Sequence, residues 1–153
     1  MRPGVRLGVD VGKARVGVAV CDRDGLLATP VATIARADAD ERAFRILVEE
    51  YGAIEIVIGL PLSLQGGDTA STTDAREFAT AVAGWIGVPV RLVDERLSTV
   101  SAQRALHAAG RRTKGSRPVI DQVAAVIILQ NALDHERSAG QPPGSLVDPE
   151  GEV

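Results

Sequence analysis

The chain has 153 residues, a formal net charge of −3 and a single cysteine, Cys21. This length fits one domain with a sizeable core, and one cysteine excludes both a disulfide framework and a cysteine-based zinc site. Aromatic residues make up only 3% of the chain, which argues against base recognition on an aromatic platform, and the net charge means that any nucleic-acid binding must come from a local basic patch. No segment resembles a signal peptide or a membrane span, so we expect a soluble, cytoplasmic protein.

The first part of the chain predicts three antiparallel strands. Val5 to Val11 is the first, and Val16 to Cys21 alternates large and small residues as the second. Leu26 to Ile34 continues the strand pattern, but Pro30 cannot donate a ladder hydrogen bond, which places this strand at a sheet edge. We therefore expect a meander whose first strand lies innermost.

The remaining elements alternate between helix and strand. They are a helix capped by Asp38 with Glu41 at N3, a strand over Ile54 to Leu60, a helix capped by Asp68 or Thr69, a strand over Val90 to Val93, a short helix from Ser98 or Thr99 to Gly110, and a last helix opened by Pro118. This order predicts an α/β fold with a five-stranded mixed sheet and helices on both faces over residues 1–137. The Pro- and Gly-rich tail, residues 138–153, is expected to be disordered.

Acidic residues stand where three of these elements begin or end. Asp10 ends the first strand, Asp94 and Glu95 end the fifth, and Asp121 lies in the first turn of the last helix. If the fourth strand pairs with the first, these ends share one rim, where ligands of such sheets gather. Each acid also has a simpler interpretation: Asp10 as a turn residue, Asp94 or Glu95 as a partner of Arg96, and Asp121 as a complement to the helix dipole.

Four segments then carry a family resemblance: GVDVGKARVGVA, IVIGLPLSLQGG, VDERLST and IDQVAAVIILQ. In order and spacing they resemble the motifs of the YqgF family, also called RuvX, which are Holliday-junction-resolvase-like proteins of the RNase H fold. The resemblance spans roughly Arg6 to Leu133. The first motif alone is shared with actin-like ATPases and sugar kinases, but the third and fourth are not part of that pattern.

The resemblance implies a nuclease with Asp10, Glu95 and Asp121 as its catalytic and metal-binding carboxylates. Two Mg²⁺ or Mn²⁺ ions roughly 4 Å apart can activate a water and stabilise the leaving oxygen of a phosphodiester, and oxygen ligands suit such hard cations. Asp10 would bridge the ions. Phosphate contacts would come from the basic residues Lys13, Arg15, Arg96, Arg111, Arg112, Lys114 and Arg117.

One departure concerns the number of acids. Many relatives of this fold carry a fourth acid or a histidine near the last carboxylate, where this chain has Gln122, and Asp134 lies too far along the helix to replace it. The second metal is therefore expected to be held weakly. His107 and His135 are interpreted as solvated.

The expected substrate is structured RNA, with the 5′ end of pre-16S ribosomal RNA as the activity that the resemblance implies. A four-way DNA junction is the alternative substrate, and a non-catalytic nucleic-acid-binding module is the alternative class of protein. An actin-like ATPase half is disfavoured, since that architecture needs a second such domain. With no exposed apolar helix to announce an interface, we expect a monomer or a weak homodimer.

Overall fold

A computed structural model describes residues 1–96 and 117–149 of the chain, and in the last helix the side chains from Gln122 onward. Within these residues six strands form one sheet in the order β3-β2-β1-β4-β5-β6. The strands are β1 (Val5–Val11), β2 (Arg15–Cys21), β3 (Ala28–Ala35), β4 (Ala53–Leu60), β5 (Val90–Asp94) and β6 (Ser145–Leu146). The helices are α1 (Glu41–Tyr51), α2 (Ala70–Trp85) and α3 (Arg117–Ala139).

The pairing of the strands confirms the predicted α/β architecture. Strand β1 is antiparallel to β2 and parallel to β4, and β4 is parallel to β5. β3 pairs with β2 and forms one edge of the sheet, as the proline in its middle predicts. The strand β1 is therefore central, and the carboxyl ends of β1, β4 and β5 lie at the same end of the sheet.

Helices cover the sheet on both faces. On one face Phe44 of α1 and Phe78 and Trp85 of α2 pack ring against ring, with centroids 5.7 to 6.2 Å apart. On the other face α3 packs across β1, β2 and β3, and Leu129 is fully buried there. The N-terminal half of α3 lies near the rim of the sheet, because Gln122 contacts Thr33 of β3.

The helix starts were predicted with mixed success. Thr69 caps α2 as predicted, and its side chain and that of Thr72 form a reciprocal capping box. The cap of α1 is Asp40, whose carboxylate accepts a hydrogen bond from the backbone N–H of Ala43 at 3.0 Å. Asp38 was the predicted cap, but it ends a 3₁₀ turn over Arg36–Asp38, which shifts the start of the helix by two residues.

The sixth strand differs from the prediction of five. Residues of the tail expected to be disordered reach the sheet, where Ser145–Leu146 pair antiparallel with β5 and the N–H of Val147 donates to the carbonyl of Val90 at 2.9 Å. Two-residue strands have no periodicity of their own, so pattern analysis cannot detect them. Residues 150–153 lie outside the described part of the chain, as do the predicted helix from Ser98 or Thr99 to Gly110 and the basic loop that follows it.

A buried ion cluster lies at the amino end of β1 and β4, opposite the rim. Glu136 of α3 binds Arg2 at 2.7 Å and Arg6 at 3.1 Å, and Glu55 of β4 binds Arg2 at 3.0 Å and Arg91 at 2.7 Å. Arg6, Glu55 and Glu136 are each at most 3% exposed. These charges are stabilised by pairing, since an unpaired charge at such burial would be strongly destabilising.

Three smaller predictions concern Cys21, the histidines and the membrane. Cys21 is buried, as predicted, and its sulfur accepts a hydrogen bond from the backbone N–H of Arg6 at 3.2 Å. His135 is exposed, as expected of a solvated histidine, while His107 lies outside the described residues. No helix in the described part of the chain is long and apolar enough to cross a membrane.

Candidate active site

Three glycines open the face of the sheet on which α3 lies. A Cβ atom on Gly8 would come within 2.6 Å of the Cβ of Leu129, and one on Gly59 within 2.5 Å of the Cδ1 of Ile128. Gly17 is the cross-strand neighbour of Asp10. Because side chains alternate along a strand, Gly8 and Asp10 share a face, so Asp10 lies on the side of the sheet that α3 covers.

Glu95 occupies the space that Gly59 leaves free. It follows β5 directly, and its backbone N–H donates to the carbonyl of Leu60 at 3.2 Å. A Cβ on Gly59 would lie 2.9 Å from both Cγ and Cδ of Glu95. The side chain of Glu95 therefore runs across the end of β4, which is the strand between β5 and the strand that carries Asp10.

The electrostatics of Glu95 identify its neighbours. Burial, then the charge of Asp10 and then that of Asp94 raise the pKa of Glu95 from 4.5 to about 7. Like charges raise each other's pKa only when they are close, and desolvation adds to this effect. Asp10 and Glu95 thus form a pair of carboxylates at the rim, poorly accommodated as two bare charges.

Asp94 belongs to a different arrangement from its neighbour Glu95. Its carboxylate accepts hydrogen bonds from Nε and Nη2 of Arg96 at 3.0 and 2.6 Å. The hydrogen bond from the Arg96 side chain lowers the pKa of Asp94. The sequence left open which of the two acids pairs with Arg96, and the structure assigns the ion pair to Asp94.

Asp121 lies deeper in its helix than predicted. Helix α3 begins at Arg117, so Asp121 is in the second turn rather than the first, where the helix dipole has less effect. Its side chain lies outside the described residues. The next residue, Gln122, donates from Nε2 to Oγ1 of Thr33 at 3.0 Å, and this bond ties this part of α3 to β3.

The predicted phosphate-binding residues are only partly described. Lys13 is exposed in the turn between β1 and β2, and Arg15 is the first residue of β2. Arg96 is exposed but paired with Asp94. Three of the remaining cations lie outside the described residues: Arg111, Arg112 and Lys114. The backbone of Arg117 is described, but its side chain is not.

Arg36 and Asp74 were missed by the sequence analysis. The guanidinium of Arg36 donates to the carbonyl of Gly12 at 2.8 Å and to both oxygens of Asp74 at 2.8 and 2.9 Å, and it lies 4.9 Å from the ring centroid of Phe78. The Arg36 hydrogen bond, and more weakly the charge of Lys13, lower the pKa of Asp74. The turn that follows Asp10 is thereby anchored to α2. No sequence signal marks this pair, because its members are 38 residues apart.

The predicted metal ligands are the carboxylates of Asp10, Glu95 and Asp121. Among the described residues no three His, Cys, Asp or Glu side chains are grouped to hold a metal ion, and the third predicted carboxylate, Asp121, is not among them. A cavity of about 180 Å³ adjoins Glu95 between β5 and α3, with Ile128 and Asn131 in its lining. A space of this size admits water to the carboxylate.

Comparisons with known proteins identify the family. The family model described as "RuvX: Holliday junction resolvase" matches residues 4–135. Relatives from Leifsonia xyli subsp. xyli and Clavibacter michiganensis subsp. michiganensis are 56% and 59% identical over 151 and 150 residues. The alignments cover 97% and 96% of this chain and 97% and 93% of the relatives, and both carry the name "Putative pre-16S rRNA nuclease".

The fold is also that of a solved structure. RuvC of T. thermophilus in complex with a Holliday junction substrate superposes with a TM-score of 0.60 at 16% identity, over 92% of this chain and 99% of RuvC. At this identity the likeness concerns the fold alone, which is RNase H-like. With its four motifs, its mixed sheet and its match to the family model over residues 4–135, the chain belongs to the RuvX family.

Proposed function

We propose that this chain is a divalent-metal-dependent nuclease that hydrolyses phosphodiester bonds of structured nucleic acid, with the 5′ end of pre-16S ribosomal RNA as its substrate. The observation that carries the proposal is the Asp10 and Glu95 pair. The pKa of Glu95 is raised to about 7 by burial and by the charge of Asp10. A folded protein that keeps two such carboxylates together loses stability, and perturbed groups of this kind cluster at functional sites.

The oxygen chemistry of these residues fits Mg²⁺ or Mn²⁺. Asp10 and Glu95 offer carboxylate oxygens alone, the donors that such hard cations prefer, and a cation between them relieves their repulsion. We assign Asp121 as the third ligand on the basis of the family resemblance. When bound, the metal would supply activation of the attacking water and neutralisation of charge at the phosphate.

The other residues bind and orient the substrate. Lys13 and Arg15 lie three and five residues after Asp10, in the turn after β1 and at the start of β2, so phosphates held by them would pass near the carboxylates. Arg36 and Asp74 keep the turn that carries Lys13 in place. The basic segment with Arg111, Arg112, Lys114 and Arg117 would bind flanking backbone and add a salt-dependent share of the affinity.

Ribosomal precursor RNA is proposed as the substrate because relatives 51–59% identical to this chain carry that activity in their name. The description of the family model favours a four-way DNA junction as the second candidate. A non-catalytic binding module is the less favoured alternative, because such a module has no use for adjacent carboxylates that destabilise each other.

The test is a cleavage assay with two labelled substrates, precursor 16S rRNA and a four-way junction, each with Mn²⁺ or with EDTA. We expect cleavage with Mn²⁺ only, abolished by Asp10→Asn, Glu95→Gln and Asp121→Asn. Asp24→Asn neutralises an exposed acid in the turn at the opposite end of the sheet and serves as the matched control. Cleavage that survives EDTA, or that survives Glu95→Gln, would refute the proposed chemistry.

A further inference from the structure

The loop after β4 holds a leucine out into solvent. Leu64 is 91% exposed, far more than any other large hydrophobic side chain among the described residues. Exposed leucines are common on protein surfaces and usually need no explanation. Leu64 differs because the backbone around it is firmly fixed, so that its exposure is imposed by the fold.

Three hydrogen bonds close the turn that presents Leu64. The N–H of Ser63 donates to the carbonyl of Gly67 at 2.9 Å, and the N–H of Gly66 donates to the carbonyl of Ser63 at 2.8 Å. The N–H of Gly67 donates to Oγ of Ser63 at 2.9 Å. Gly66 has a φ of +85°, which a side chain would strain. These hydrogen bonds therefore fix the backbone conformation of the Ser63–Gly67 turn.

Arg96 fastens this turn to the end of β5. Its Nη1 donates to the carbonyl of Leu64 at 3.3 Å while Nε and Nη2 bind Asp94. A Cβ on Gly66 would lie 3.2 Å from Nη1 of Arg96. At the base of the loop, the buried hydroxyl of Thr72 donates to the carbonyl of Pro61.

The turn stands beside the carboxylates of the candidate active site. Leu60, the last residue of β4, accepts a hydrogen bond from the N–H of Glu95, and Leu64 follows four residues later. Four residues span at most about 14 Å. Leu64 is thus within a few nucleotides' length of any phosphodiester that reaches Glu95.

The surroundings of Leu64 favour a nucleic acid over a protein as its partner. Protein-docking surfaces present contiguous apolar patches of hundreds of Å², whereas the other residues of the turn are polar or glycine: Ser63, Gln65, Gly66 and Gly67. A single apolar side chain on a rigid support, next to a cation such as Arg96, is one way in which proteins contact base faces and separate base steps.

We propose that Leu64 contacts the face of a base beside the cleaved phosphodiester, and that Arg96 acts as a positioning residue that holds the Ser63–Gly67 turn for this contact. The inference rests on the proposed nuclease function and names a substrate-binding residue for it. Arg96 acts here through the loop, in addition to any phosphate contact.

The test compares Leu64→Ser with Leu64→Met and Leu26→Ser. Leu26 is 60% exposed in the turn at the opposite end of the sheet, so its serine variant controls for the loss of an exposed leucine. Each protein is assayed for cleavage of precursor 16S rRNA, for binding with EDTA present, and for the free energy of unfolding. A 2-aminopurine placed one or two nucleotides from the cleavage point reports on base stacking.

We expect Leu64→Ser to weaken binding and raise KM by roughly fivefold to tenfold, since it removes one apolar contact of side-chain size. The unfolding free energy of Leu64→Ser and the slope of its affinity against salt should equal those of the wild type. The kinetics of Leu26→Ser should also be unchanged, and Leu64→Met should retain most of the affinity. The 2-aminopurine signal changes on binding of the wild type but not of Leu64→Ser.

Equal affinity and equal KM for Leu64→Ser and the wild type would overturn the inference. A loss of affinity together with a lower salt slope would also overturn it, because a lower slope means that phosphate contacts were lost. If the wild type binds RNA and the serine variant binds it more weakly, but neither cleaves, the base contact stands and the proposed catalysis fails. If the wild type neither binds nor cleaves nucleic acid, both proposals fail.

Discussion

Replacing Glu95 with Gln is expected to stabilise the metal-free protein at high pH. The pKa of Glu95 is about 7 in the folded protein, raised by burial and by the charges of Asp10 and Asp94, against 4.5 for an unperturbed glutamate. The folded state therefore holds a proton that the unfolded state has lost. Below about pH 4.5 the side chain is protonated in both states, and stability falls as the pH rises from there through about 7.

The magnitude follows from the two pKa values. The difference between about 7 and 4.5 corresponds to at most about 3 kcal/mol of destabilisation above pH 7. Glu95 is not fully buried, so solvent screening reduces this value, and we expect Glu95→Gln to raise the free energy of unfolding by about 1–2 kcal/mol at pH 8. Near pH 4 the variant and the wild type should be equal.

The assay is urea denaturation in EDTA at pH 4, 6 and 8, repeated with Mg²⁺. Asp74→Asn is the matched comparison, because the Arg36 hydrogen bond lowers the pKa of Asp74 and its loss should destabilise the protein at pH 8. Added Mg²⁺ should stabilise the wild type more than Glu95→Gln. A variant that is less stable than the wild type at pH 8, or whose difference from it does not change with pH, would refute the assignment of Glu95 to a strained pair.

Three further predictions concern Gly59, the basic segment and the buried ion cluster. Gly59→Ala places a methyl group 2.9 Å from the side chain of Glu95, so cleavage should be lost. In urea denaturation the overpacking should lower the free energy of unfolding by about 1–3 kcal/mol. Full activity would show that Glu95 can move without effect. In salt titrations of RNA binding, the slope should fall by up to about three phosphate contacts when alanine replaces Arg111, Arg112 and Lys114, and an unchanged slope would make this segment a connector only. Burial alone would raise the pKa of Glu136, but the hydrogen bonds from Arg2 outweigh it and lower the pKa to about 2. Glu136 therefore contributes stability above about pH 4.5 that is lost as the pH falls towards 2, and Glu136→Gln should lower the unfolding free energy by about 3 kcal/mol at pH 7 and much less at pH 2.5; an equal loss at both would contradict this.

The sequence was informative where local chemistry decides the structure. Pro30 predicted the edge strand, and Thr69 predicted the start of α2. The nearly continuous apolar run of β4 predicted a central parallel strand, and this strand lies between β1, which carries Asp10, and β5, which leads into Glu95. Asp10 and Glu95 were predicted to share one edge on the condition that β4 pairs with β1, because the carboxyl ends of the parallel strands of one sheet lie at the same edge.

Contacts between distant residues were not predictable in this way. Glu55 interrupts the apolar run of β4, but the pattern of apolar residues in this strand does not predict that Arg2 and Arg91 bind it. Arg36 finds Asp74 across 38 residues, and the choice of Asp40 over Asp38 as a helix cap depends on the 3₁₀ turn before it. Such pairings depend on how completed elements dock, whereas hydrophobic periodicity reports only on each element alone.

The short strand β6 has a consequence for how the protein is produced. It covers the outer edge of β5, whose N–H and C=O groups would otherwise form an open template for pairing with another molecule. The opposite edge of the sheet carries Pro30 and is blunted by it. Trimming the chain after residue 137, where the sequence places the end of the domain, would therefore remove this cover and leave Val90–Asp94 as an exposed edge strand. Expression of the shortened form should yield self-associating material, whereas the full chain of 153 residues keeps this cover.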